Sequence, residues 1–87
     1  MAKVWIPSLL REMCGGDHIV EVPGRSVRQV IENLDGRCPG IRDRLIEDGD
    51  LRPDLAVSVD GETTQIGLLQ SVSEDSEVHI LPALGGG

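Results

Sequence analysis

His18-Ile19-Val20-Glu21-Val22-Pro23-Gly24-Arg25-Ser26-Val27-Arg28-Gln29-Val30-Ile31-Glu32-Asn33-Leu34-Asp35-Gly36 changes its hydrophobic period part-way along. From His18 to Val22 the period is two, with Val20 and Val22 facing inward, which reads as a strand. Pro23-Gly24 ends that strand. Ser26 follows, with Gln29 three residues on, the capping-box spacing of a helix start. Val27, Val30, Ile31 and Leu34 then recur at helical spacing and form one apolar stripe. Asp35-Gly36 reads as the helix end, glycine being favoured just past a last turn.

Working toward the N-terminus, Lys3-Val4-Trp5-Ile6-Pro7 alternates, so that Val4 and Ile6 share one face and Trp5 takes the other. Gly15-Gly16-Asp17 supplies a turn, and the two strands read as an opening hairpin. Beyond the helix, Ile41 to Ile46 reads as a shorter helical turn, and Gly49, Pro53 and several aspartates mark a loop. Leu55, Val57 and Val59 alternate with Ala56 and Ser58 in a third strand that ends at Asp60-Gly61. Glu62 to Ile66 is a candidate short return strand, and Gly67 to Val72 a helical turn carrying Leu68 and Leu69. Glu77 to Leu81 is the last strand, with Val78 and Ile80 inward. The pattern then stops, so the expected organisation is one domain over residues 1–81 and a flexible tail over 82–87. The order is that of an α+β, β-grasp fold. It predicts a mixed sheet of four to five strands, one main helix on one face, and the first and last strands side by side in parallel.

Eighty-seven residues are enough for one domain and too few for two. A core of this size leaves no room for a deep catalytic cavity, so the chain is not expected to be an enzyme. No apolar run approaches the roughly 18 residues that span a bilayer, so no membrane partner is expected. Met1-Ala2-Lys3 passes straight into the first strand, so no signal peptide is expected and the cytoplasm is the default location. The formal charge of −7 disfavours nucleic acid and favours a partner with a basic surface; ordinary solubility charge is the competing reading. Without an export signal, Cys14 and Cys38 are expected as reduced thiols, with a disulfide as the alternative. Their spacing to each other and to His18 and His79 matches no metal motif, and no metal is assigned. Asp35, Asp43, Glu47, Asp48, Asp50 and Asp54 read as solvated surface rather than a paired catalytic site.

The chain closes on Leu81-Pro82-Ala83-Leu84-Gly85-Gly86-Gly87. A Gly-Gly inside a chain marks any turn, but glycines at the very end, leaving a strand through a proline-containing tail, are a specific signal. With the β-grasp order and the length, this end resembles the bacterial ubiquitin-like sulfur carriers. That family includes the small subunit of molybdopterin synthase, the thiamine sulfur carrier and the carrier that feeds a cysteine synthase. The likeness covers the whole chain and includes Ile6-Pro7-Ser8-Leu9-Leu10-Arg11 and Val57-Ser58-Val59-Asp60-Gly61. Gly85 departs from the Ala or Ser that relatives often carry, which loosens the tail without touching the chemistry.

The resemblance implies that Gly87 is the reactive residue. A ubiquitin-activating-like enzyme would adenylate its carboxyl with ATP, and a sulfur donor would displace AMP to leave a thiocarboxylate for a downstream synthase. AMP and sulfur are then transient covalent groups on Gly87, and no cofactor is held stably. A free α-carboxylate, with a reference pKa of roughly 3.5, is ionised at neutral pH and resists nucleophiles, so activation must come first. Gly85 and Gly86 tolerate the backbone conformations a narrow channel imposes. Pro82 stiffens the exit, and Pro82 to Gly87 extend at most about 20 Å.

Trp5, the only aromatic residue, shares its strand face by parity with His79 and Leu81, making these three the candidate partner-binding patch. The competing readings are a peripheral-core role for Trp5 and a plain cross-strand position for His79; His18 reads as solvated. A protein modifier conjugated through Gly87 and an inert β-grasp interaction domain are the alternative functions. Within the carriers, the Ile41 to Ile46 segment makes the chain longer than the thiamine type. The molybdopterin, cysteine and secondary-metabolite types remain, with Leu81-Pro82-Ala83-Leu84 leaning toward the cysteine type.

Overall fold

The computed structural model describes residues 1–82. Seven strands alternate with two α-helices and two 3-10 helices. The strands are β1 (Ala2–Trp5), β2 (Ile19–Val22), β3 (Ile46–Glu47), β4 (Asp50–Leu51), β5 (Leu55–Val59), β6 (Glu62–Thr63) and β7 (Glu77–Pro82). The α-helices are α1 (Val27–Arg37) and α2 (Ile41–Leu45), and the 3-10 helices cover Ser8–Cys14 and Gly67–Leu69. The main sheet runs β2-β1-β7-β5-β6, and β3 and β4 form a separate two-stranded ribbon. β1 and β7 pair in parallel at the centre, with Val4 opposite Val78 and Trp5 opposite His79. The other neighbours are antiparallel. This is the β-grasp arrangement, with α1 packed on one face of the sheet.

The core follows the two periods read from the sequence. Val4, Val20, Val22, Val57, Val78 and Ile80 come from the sheet and Val27, Val30, Ile31 and Leu34 from α1, all buried in one cluster. Ser26 caps α1 by accepting from the Gln29 N–H at 3.2 Å. The Gln29 side chain reaches back to the Arg25 N–H at 2.9 Å rather than to Ser26 itself, a shifted capping box. Gly24 has φ of +154°, and a Cβ there would stand 2.8 Å from the Val30 backbone nitrogen. Only glycine lets the corner after β2 run this close to the helix.

The helix does not end where Asp35-Gly36 suggested. Gly36 stays helical, and α1 continues to Arg37 with Cys38 as its cap. The reason lies across the chain: the Asp35 carboxylate accepts from the Gly40 and Arg42 N–H groups at 3.1 and 3.0 Å. Asp35 thus satisfies the exposed donors of α2, whose own cap residue, Gly40, has no side chain to do so.

Three further segments differ from the sequence reading. The connection between β1 and β2 is a 3-10 helix over Ser8–Cys14 ending at left-handed Gly15, not a turn alone. The expected loop after Ile46 contains the β3-β4 ribbon, turned at Asp48 and Gly49, both with positive φ. The return strand is shortened to Glu62–Thr63. The largest correction concerns the cysteines. Cys14, at the end of the first 3-10 helix, and Cys38, at the cap of α1, are joined as a disulfide, with Cα atoms 4.5 Å apart. They are 24 residues apart in sequence and both buried. The reduced-thiol expectation rested on compartment alone, whereas the pairing comes from two element ends that the tertiary fold brings together.

Candidate functional site

β7 organises the site because it is central at its start and released at its end. At the start, Asp60 sits in the β5-β6 turn with φ of 52°. Its carboxylate accepts from the Glu77 N–H at 2.9 Å and from the buried Ser76 hydroxyl at 2.8 Å. The backbone donor first, and the hydroxyl second, hold the Asp60 carboxyl below the ordinary aspartate value. The Lys3 N–H donates to the Ser76 carbonyl at 2.9 Å, fastening β1 to the same point.

Along β7 the side chains alternate as the sequence implied. Val78 and Ile80 are buried toward α1. His79 and Leu81 stand on the helix-free face with Trp5. The Trp5 and His79 rings stack with centroids 5.0 Å apart and planes inclined by 9°. Trp5 is 38% exposed, Ile19 beside it 40%, and Leu81 42%, so the face carries a half-exposed apolar row rather than a second core. Opposite His79 and Leu81 on β5 stand Ser58 and Ala56, whose small side chains leave the larger ones raised. The His79 Nε2 lies 3.9 Å from the Glu77 carboxylate. Ile19 was missed as a site residue, although its parity opposite Val20 was sufficient to place it on this face.

At its end, β7 runs one residue beyond the expected domain limit. Pro82 pairs with Leu55 of β5. Pairing with β1 stops at His79, so Pro82 has a single strand neighbour, a position that tolerates the missing N–H. Gly85, Gly86 and Gly87 lie outside the described residues. No cluster of metal-ligating side chains is found among the described residues. No helix there is long and apolar enough to cross a membrane.

The ThiS family model matches residues 4–87 of the chain. The chain belongs to the ThiS family. Membership agrees with the ubiquitin-like sulfur-carrier resemblance drawn from the glycine end. The sulfur carrier protein CysO of Mycobacterium tuberculosis is 33% identical over 89 residues, covering 97% of this chain and 96% of that protein. Among solved structures, the Amycolatopsis orientalis BexX/CysO complex contains a chain with a TM-score of 0.92 and 34% identity, each chain covered in full. The crystal structure of M. tuberculosis CysO, an antigen, gives a TM-score of 0.91 at 30% identity, covering 97% of this chain and 100% of that one. The ThiS-family likeness thus spans both the globule described above and the glycine end that follows it.

Proposed function

We propose that this chain is a sulfur carrier that works through the carboxyl group of Gly87 and is not itself a catalyst. The observation that carries the reading is the ThiS-family match, which runs through the globule to Gly87. In the proposed cycle a ubiquitin-activating-like enzyme joins the Gly87 carboxylate to the α-phosphate of ATP and releases pyrophosphate. Hydrosulfide released by a sulfur donor attacks the acyl carbon of that adenylate, AMP leaves with the bonding electron pair, and a thiocarboxylate remains. The sulfur is then a nucleophile for a downstream synthase. Similarity to the CysO proteins supports the cysteine type of carrier, toward which Leu81-Pro82-Ala83-Leu84 also leans.

The globule's part is to present its end and be recognised. β7, bonded at its start through Asp60 and Ser76, gives Pro82 a defined position. Residues 83–87 then have about 17 Å of reach into an enzyme docked on the body. The stacked Trp5 and His79, with Leu81, are the proposed centre of that contact.

Intact mass of the chain isolated from its host tests the reading. One oxygen replaced by sulfur is the expected result. A mass found only on lysines of other proteins would favour the protein-modifier reading, and an unmodified chain under sulfur demand would overturn both.

A further inference from the structure

A groove of about 510 Å³ opens where the tail leaves the body. Leu9 and Leu10 of the first 3-10 helix, Leu55 and Pro82 of the sheet, and Arg44 and Arg52 line it. Leu9 is 92% exposed, an unusual position for a leucine beside a concave apolar surface. Arg52 is paired with Asp54 at 3.3 Å. The Arg44 side chain makes no hydrogen bond or ion pair among the described residues. A chain of net charge −7 therefore places a guanidinium with no partner among the described residues beside apolar side chains, next to Pro82.

Resting on the sulfur-carrier reading, we propose that this groove is a second docking point for the adenylating enzyme. Its occupant is a segment bearing an apolar side chain for Leu9 and Leu10 and a carboxylate for Arg44. Charge and position carry the choice. An enzyme that encloses residues 83–87 must cover Pro82, which itself lines the groove. The body as a whole attracts a basic surface, so an acidic projection that meets Arg44 sets the orientation of the encounter. The chain's own tail is a poor occupant. Its five residues include three glycines, which lose more backbone freedom than one leucine and one exposed ion pair return. A second copy brings −7 against −7.

The test compares the full chain with Arg44→Glu and Leu9→Ser, measuring affinity for the adenylating enzyme of the same organism by calorimetry and turnover by ATP–pyrophosphate exchange. Both side chains are exposed, so melting temperatures should not change. Each variant should bind about tenfold more weakly. Wild-type exchange with both variants binding normally would overturn the groove proposal alone. Absence of exchange with the wild type would overturn the carrier reading on which it rests. Amide shifts at Leu9 and Leu10 caused by Leu84→Ala, or a dimer abolished by Arg44→Glu, would seat the tail or a second copy there and overturn the choice of partner.

Discussion

The two ends of β7 are built in opposite ways. At its start, Ser76 is buried, the Glu77 N–H is held by Asp60, and Lys3 of β1 bonds to the Ser76 carbonyl. At its end, Leu81 is 42% exposed and Pro82 has only Leu55 beside it. One strand thus passes from neighbours on both sides at Val78 and His79 to a single neighbour, β5, at Leu81 and Pro82. The lesson is a division of labour: the side-chain and backbone bonds cluster where the strand enters, and under the proposed function its exit is the part offered to another protein.

If that division holds, changes at the two ends should separate stability from function. Deleting Gly86 and Gly87 should give the largest effect, complete loss of ATP-dependent loading with an unchanged thermal melt. A truncated protein that still acquires sulfur would break the comparison outright. Changing Cys14 and Cys38 together to Ser should act in reverse. Losing a disulfide that closes 24 residues costs about 3 kcal/mol in the chain-entropy picture, or roughly 10 °C or more in Tm for a domain of this size. Loading of the folded protein should persist, because in the proposed cycle the sulfur travels on the terminal carboxyl. A folded double variant that cannot be loaded would point to a persulfide on one cysteine instead.

Trp5→Ala sharpens the comparison at the face between the two ends. Truncating a central aromatic anchor costs about 2 kcal/mol of binding, roughly thirtyfold in Kd. The melting temperature should fall by only a few degrees, since the ring is 38% exposed and lies outside the core cluster. A protein that binds the adenylating enzyme normally would remove this face from the site. The smallest effect belongs to Asp60. Its carboxyl is held below the ordinary value in the folded state, so the unfolded chain takes up the proton first as pH falls. The contribution is therefore present above the ordinary aspartate range and lost as pH drops through the lowered value. Asp60→Asn should flatten the acid limb of a stability–pH curve, and an unaltered limb would show that the bonds at the start of β7 contribute nothing there.

Much of this was legible in the chain because period and parity are local. The alternation of residues 18–22 and the stripe Val27, Val30, Ile31, Leu34 were sufficient for β2 and α1. Parity alone placed Trp5, His79 and Leu81 together once β1 and β7 were set side by side. Parity could have added Ile19 by the same step. The Ser8–Cys14 helix was missed although Leu10, Met13 and Cys14 stand at i, i+3 and i+4, a helical spacing whose face packs on the core. The end of α1 was misread for another reason. Asp35 looks like a local stop signal, but its carboxylate serves donors at Gly40 and Arg42 that only the following turn brings within reach.

The sequence by itself determined the β-grasp order and the inward and outward faces of the strands, since each depends on neighbours a few positions apart. The tertiary structure alone decided the Cys14–Cys38 pairing, the 5.0 Å stack of Trp5 on His79, and the meeting of Leu9, Arg44 and Pro82 around one groove. Those depend on where distant element ends come to rest. That is set by the packing of the whole core, for which no single stretch of the chain carries a signal.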